Sequence, residues 1–343
     1  MQFLTGTKYS RQRGYNRGAN AEAGIINICR RNDDVPQFLD AQVCCLLHEK
    51  PSAAKSRFHM PELPEVHNVA ESLKPMLIGN RITRVIIRRA DVIRGSKTKA
   101  ALLEGQCVRK ILRHGKQLAL VGDSGRCLCV HLGMSGALLM LNDVHRQMNH
   151  VHVEWQTESS SRLIHHDPRR FGGIWTFDSV NDVHKKRWSK LGPDALTIQN
   201  EQLSRILKSS SRMIKAALLD QSLIAGLGNI YVDELLFRAR VHPEAAANRL
   251  SSKRVNHLAE LIPELLQQAI SSGGSTLRDY RDSNGREGSF QTLHQVYGRA
   301  GQPCLACSKE LSTATVAGRT TVWCSACQRR QSSRRVSKRR IIN

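Results

Sequence analysis

Four cysteines near the C-terminus constrain this 343-residue chain more than any other feature: CLAC at 304–307 and CSAC at 324–327, two C-x2-C pairs separated by sixteen residues. Each C-x2-C turn presents two thiolates to one tetrahedral metal, and the gap is the length of a β-hairpin between two knuckles. Cys304, Cys307, Cys324 and Cys327 are therefore expected to hold one structural Zn2+. A closed four-thiolate site keeps no open coordination position, so this ion orders a hairpin and does no chemistry. The hairpin sequence VAGRTTVWC places Arg319 near its tip. As a lone residue it reads as a solvated charge; at such a tip it is also placed to enter a nucleic-acid groove. The other six of the ten cysteines are scattered, and adjacent Cys44 and Cys45 make a poor disulfide pair, which fits reduced thiols.

Charge narrows the partner. Lys and Arg total 52 against 29 Asp and Glu, a formal net charge of +23, and such a surface is best matched by a polyanion. Nucleic acid leads. An anionic membrane surface competes, but no apolar run reaches the roughly 20 residues of a spanning helix, and no signal-peptide pattern is seen. The expectation is a soluble, intracellular chain long enough for two separately cored domains.

Periodicity divides the chain. Residues 1–59 hold no sustained apolar period and read as a disordered extension outside the fold. A transit peptide is argued against by Asp33, Asp34 and Asp40. From Pro64 a helix is predicted, with Val66, Val69, Leu73 and Leu77 on one face and Gly79 as its stop. Strand-like runs follow (RITRVIIRR, RKILRHGKQLALV, CLCVHLGMSGALLML, HVHVEW, RLIHH, GGIWTF), giving an antiparallel sandwich over 60–190. LGPDAL reads as a linker, and helical patterns at 201–219, 229–239 and 251–271 fill a second domain over 191–298. The finger occupies 299–330, and a basic tail covers 331–343. The fold class is α+β.

Three further motifs carry chemistry. In GLGNIYVDELLF a Gly-rich turn opens a helix at Asn229, whose free N–H groups and positive end suit a phosphate, although Asn after Gly is also ordinary capping. Asp233 and Glu234 read as first-turn residues that complement the dipole. HLGMSG and DPRRFGG set Met134, Arg169, Arg170 and Phe171 on Gly- and Pro-marked turns, where large apolar and cationic side chains can wedge into a base stack. Taken singly, Met134 and Phe171 read as core, and Lys116 as a snorkelled strand lysine.

With these residues in view, the chain from Met60 to about Cys327 resembles the formamidopyrimidine-DNA glycosylase family. PELPEV at 61–66, HLGMSG, DPRRFG, GLGNIY, GGSTLRDY, VYGRAGQPC and the finger occur in that family's order. The resemblance implies a β-sandwich with flanking helices, then a helix-two-turn-helix domain with a zinc hairpin, and damaged double-stranded DNA in the cleft between them. It implies a monomer in the bacterial cytoplasm, associated with the nucleoid. The implied activity is removal of oxidised purines followed by cutting at the abasic site through β,δ-elimination.

By the resemblance, Pro61 is the nucleophile. Inside a peptide bond its nitrogen is an amide with a delocalised lone pair. Freed of Met60, it is a secondary amine of the α-amino class, which titrates near 8 against about 10.4 for lysine, so much of it is unprotonated at neutral pH. Residues 1–59 must then be absent or removed in the active form. Glu62 carries over as the general acid/base, Lys116 as the contact to phosphate and damaged nucleotide, and Arg319 as the finger arginine linked to δ-elimination. Met134, Arg169 and Phe171 match the void-filling wedge; His150, Arg170 and Asn229 match further DNA contacts. Where relatives carry a lysine, this chain has Ser210, and Arg212 or Lys215 is the expected substitute. DSNGREGSFQ at 282–291 falls where the family has a mobile lid. Two other readings stand beside this one. An endonuclease VIII-like enzyme for oxidised pyrimidines is disfavoured by Leu63. A non-catalytic zinc-containing DNA-binding protein follows if Pro61 stays an amide.

Overall fold

The computed structural model describes residues 60–142 and 148–330. The expectations for 1–59 and 331–343 lie outside the described residues. Helix α1 (Leu63–Leu77) opens the fold, with Leu63, Val66, Val69, Leu73 and Leu77 buried along one face. Nine strands follow: β1 (Ile82–Ile87), β2 (Ile93–Arg94), β3 (Val108–His114), β4 (Gln117–Gly122), β5 (Cys127–His131), β6 (Ala137–Leu141), β7 (Val151–Thr157), β8 (Arg162–His166) and β9 (Gly173–Phe177). They form a four-stranded sheet in the order β1-β7-β8-β6 and a five-stranded sheet in the order β2-β9-β5-β4-β3. Val85, Trp155 and Leu163 of the first share one core with Ile111, Leu120 and Val130 of the second, which makes the pair a sandwich.

Every strand run read from the sequence is present. One pairing departs from the antiparallel expectation: the two-residue β2 lies parallel to β9. QLALVG is apolar throughout rather than alternating because its outer face is covered too, by Val183 of helix α2 (Val180–Lys186) and by Trp188.

The helical half begins with α3 (Asn200–Lys208) and α4 (Ile214–Leu219), where one helix over 201–219 was expected. The break falls at Ser209–Ser210–Ser211, whose hydroxyls compete for backbone hydrogen bonds and weaken a helix interior. The first N–H groups of α4 are satisfied from outside, Ile214 by the Ala245 carbonyl at 2.7 Å and Lys215 by the Pro243 carbonyl at 3.2 Å. Helices α5 (Asn229–Arg238) and α6 (Ser252–Ser271) close a second core that also takes Leu63. The chain then forms the hairpin β10 (Ser312–Val316) and β11 (Arg319–Trp323) between the two cysteine pairs, as the spacing predicts. No described helix is long and apolar enough to cross a membrane.

Candidate functional site

The N-terminus of α1 lies against the glycine turn before α5. Leu63 donates its N–H to the Gly226 carbonyl at 3.1 Å, and Ile230 donates its N–H to Glu62 Oε1 at 3.0 Å. A Cβ at Gly228 would lie 2.2 Å from Glu62 Cδ, and one at Gly226 (φ +114°) would lie 2.4 Å from Leu63 Cδ1. Only glycine permits that approach. The sequence reading left the α5 N-terminus open for a phosphate; in the folded protein the Glu62 carboxylate takes it. The Asn229 side chain donates instead to the Thr320 carbonyl at 2.8 Å, tying the turn to the finger.

Burial dominates the electrostatics. It pushes the Glu62 carboxyl up to about 7; the Lys116 ammonium opposes this, the Glu65 carboxyl adds to it, and the N–H groups of Ile230 and Tyr231 lower it. Near neutral pH Glu62 can therefore both give and take a proton. Lys116 is buried as well, which lowers its pKa, while Glu62 and Glu65 pull it back up. Glu65 is the support the sequence reading missed. It accepts from the Tyr231 hydroxyl at 2.6 Å, the Ser275 N–H at 2.7 Å and the Glu62 N–H at 2.9 Å. The Glu-x-x-Glu spacing of PELPE is that of a capping box and was a readable signal. Lys116 is the second residue of the β3–β4 turn, which Asp194 holds by accepting from Gly115 N–H at 2.7 Å and from Arg113 Nη1 and Nη2 at 2.6 and 3.0 Å.

The finger brings Arg319 to the same place. The hairpin turns at Ala317 and Gly318, both at positive φ, so Arg319 stands exposed at its tip. Met60, Glu62, Lys116, Met134, Arg212, Gly228, Asn229 and Arg319 line one cleft of about 560 Å³. Arg212 is paired there with Asp220 at 2.8 Å. Lys215, the other expected substitute at Ser210, is a correction: it is 0% exposed and bonded at 2.5 Å to Asp233, itself 0% exposed. A side chain sealed on every side reaches no DNA. Asp233 also accepts the Val322 N–H at 3.1 Å, and Glu234 gathers the N–H groups of Gln295, Val296 and Tyr297 at 2.8–3.0 Å. These two acids hold the finger and its lead-in, and do not cap the first turn of α5 as the sequence suggested.

The ligand atoms of Cys304, Cys307, Cys324 and Cys327 lie within 4.8 Å of one another, the one such group among the described residues. Cys307 Sγ and Cys324 Sγ are 3.5 Å apart, close to the about 3.8 Å that metal–sulfur bonds of roughly 2.3 Å give in a tetrahedron. Ser308 N–H donates to the Cys304 carbonyl and Gln328 N–H to the Cys324 carbonyl, each at 2.8 Å, so the two knuckles share one backbone form. The residues present fit a metal ion.

Phe171 is 54% exposed with the Arg169 guanidinium 4.7 Å above its ring, so it is a displayed residue and not core. Arg170, in a left-handed conformation at φ 55°, pairs with Asp91 at 3.1 Å. His150 is exposed before β7, its ring 6.2 Å from that of His166. Met134 borders both the main cleft and a small neighbouring one shared with Arg169 and Leu277 to Tyr280. The expected lid needs revision on this point. Within 282–291, Ser283 is buried and bonded to Ser72 Oγ, to the Val69 carbonyl and to Met140 N–H. The residues beside Met134 are 277–280, upstream of that anchor.

Residues 60–174 match the family of the formamidopyrimidine-DNA glycosylase N-terminal domain, and residues 191–281 match the formamidopyrimidine-DNA glycosylase H2TH domain. The formamidopyrimidine-DNA glycosylase of Roseobacter denitrificans is 38% identical over 288 residues, covering 79% of this chain and all of the relative. Among solved structures, the MutM (Fpg) protein of Thermus thermophilus aligns at TM-score 0.70 and 38% identity over 78% of this chain and 98% of its own. A proline variant of Lactococcus lactis Fpg, in complex with DNA containing Fapy-dG, aligns at TM-score 0.74 and 33% identity over 79% of this chain and 100% of its own. The complex of Lactococcus lactis Fpg with DNA containing an abasic site gives 0.73 and 33% over the same shares.

Proposed function

Since the chain belongs to the formamidopyrimidine-DNA glycosylase family, we propose that it is a glycosylase and abasic-site lyase acting on oxidised purines in duplex DNA, with Pro61 as its covalent nucleophile. Once the Met60–Pro61 peptide bond is cut, the Pro61 nitrogen is a secondary amine whose lone pair attacks C1′ of the damaged nucleoside. The bond to the base breaks, and the sugar ring opens as Glu62 delivers a proton to its oxygen. The product is an iminium joining Pro61 to C1′. That positive charge acidifies the C2′ proton; its removal expels the 3′ phosphate, and a second elimination expels the 5′ phosphate.

The observation that carries this reading is the setting of Glu62: next in sequence to Pro61, buried at the cleft, and pushed up to about 7. Lys116 faces the same carboxyl and supplies a positive charge toward phosphate; Arg319 offers a guanidinium to the same cleft from the hairpin tip, suited to a flanking phosphate. Met134, Arg169 and Phe171 form the wedge that fills the gap of the extruded nucleotide, and His150, Arg170, Arg212 and Asn229 meet the DNA backbone. The four thiolates take zinc, which orders the hairpin and so places Arg319. Support for the partner comes from the net charge of +23. We place the enzyme in the cytoplasm as a monomer on DNA.

The test is borohydride trapping on an 8-oxoguanine:cytosine duplex, with the adduct located by peptide mass. An adduct on an N-terminal Pro61 supports the reading. Trapping on any other residue, or cleavage by protein that retains residues 1–59, refutes it. Full activity on oxidised pyrimidines with none on 8-oxoguanine favours the endonuclease VIII-like alternative.

A further inference from the structure

The two loops that carry the wedge belong to different crossings of the sandwich. Residues 132–136 pass from β5 to β6, and residues 167–172 pass from β8 to β9, so each loop connects one sheet to the other. Nothing in their sequences says that they move together. The structure joins them through one side chain. Asp167 is 0% exposed. Ser135 donates its hydroxyl to Asp167 Oδ1 at 2.6 Å, and Gly172 donates its N–H to Oδ2 at 2.8 Å. The same Ser135 oxygen accepts the Arg169 N–H at 3.2 Å. The Asp167 backbone is fixed as well: its carbonyl accepts from Arg170 N–H at 3.2 Å and from His152 Nε2 at 2.8 Å. The loops also touch directly, since a Cβ at Gly133 would lie 2.4 Å from Gly172 N.

A buried carboxylate serves this junction as no other side chain does. Both of its oxygens meet donors, and ionised acceptors make the shorter and stronger bonds. An asparagine has the same shape but no charge. With its oxygen kept on Gly172 N–H, its N–H2 faces Ser135, whose hydroxyl must turn from donor to acceptor while it also accepts Arg169 N–H, so both charge-assisted bonds are lost and the hydroxyl proton loses its partner. Wedge side chains must enter the base stack together, and placement errors of about 1 Å are costly at such a site. Resting on the wedge reading given above, we propose that Asp167 is the positioning residue for base-stack insertion, locking the Met134 loop to the Arg169–Phe171 loop as one rigid unit.

The experiment uses the full chain and a duplex holding a tetrahydrofuran abasic analogue beside 2-aminopurine, whose fluorescence rises when a side chain unstacks it. Insertion needs no covalent chemistry, so the result does not depend on Pro61. Wild type should give the rise, and Met134→Ala should lose most of it. Asp167→Asn should slow or shrink it by about tenfold, with Kd changed less than about threefold, and the double variant should lose nothing beyond the larger single effect. Insertion by Asp167→Asn at the wild-type rate, or additive losses in the double variant, overturns the proposal. Should Asp167→Asn fail to fold by circular dichroism, Ser135→Ala removes one donor alone and carries the same test. Wild-type insertion without cleavage of 8-oxoguanine DNA by protein with a free Pro61 overturns the catalytic reading and leaves this one standing. No rise with wild type overturns the wedge reading and this proposal with it, and leaves the catalytic reading to the trapping experiment.

Discussion

Glu62 and Ile230 stand 168 residues apart in sequence, yet the Ile230 N–H meets Glu62 Oε1 at 3.0 Å. That bond brings the α1 N-terminus and the α5 N-terminus to one point, and the candidate acid/base is held where they meet.

The protonated form of Glu62 is the one that can donate to a sugar oxygen, and its pKa is raised to about 7. As pH rises through that value the acid is lost, so the single-turnover rate of base excision should fall about tenfold per unit on the alkaline side. The Pro61 amine acts in the opposite sense, since it must be deprotonated, and gives the acid limb. Glu62→Gln should lower the rate by about 10²- to 10⁴-fold and abolish the alkaline limb. Retention of that limb in the variant assigns it to another group.

Gly228→Ala places a methyl 2.2 Å from Glu62 Cδ. The carboxyl must move or the turn must open, and a displacement of that size costs about 10²-fold in rate. Circular dichroism and metal content should stay as in wild type. Normal turnover by this variant removes the case for close packing of the two motifs.

Lys215 and Arg212 should behave differently on substitution. Lys215→Met leaves Asp233 buried without its partner and should destabilise the fold by about 3–5 kcal/mol, read by urea denaturation. Arg212→Ala should leave stability within about 0.5 kcal/mol and make the salt dependence of DNA binding shallower by about one phosphate. A normal fold for Lys215→Met with a reduced salt slope reinstates Lys215 as a DNA contact.

Metal analysis should find one zinc per chain, bound by the four thiolates. Its removal by a chelator should unfold the hairpin, because binding and folding of such a site are coupled. Strand cutting should fall with it, as Arg319 loses its place, and return when zinc is restored. Cleavage that is unaffected by chelation separates the finger from the reaction.

The strands were legible one by one as short runs rich in β-branched and apolar residues whose turns carry Gly, Asp or Asn, even where, as in β4 and β5, burial on both faces removes the alternation. The finger was legible because metal geometry fixes cysteine spacing. Helix α1 could be read to its last turn for a similar reason, Val66, Val69, Leu73 and Leu77 marking its face. The single helix expected over 201–219 divided, since three serines interrupt a pattern that apolar spacing alone continues.

Sequence by itself marked the candidate residues: Pro61, Glu62, Lys116, Arg319 and the four cysteines stand in short motifs, the cysteines recognisable by their spacing and the other four by the family resemblance those motifs carry. It also determined the α+β class and the basic surface. Tertiary structure alone decided their environment. Burial raised Glu62, sealed Lys215 against Asp233, turned Asp233 and Glu234 into braces for the finger, and joined the loops of Met134 and of Arg169–Phe171 through Asp167. The physical reason is range. Propensity, capping and ligand spacing act within a few residues, whereas desolvation and the partner of a buried charge depend on segments a hundred or more residues away, and no local pattern records them.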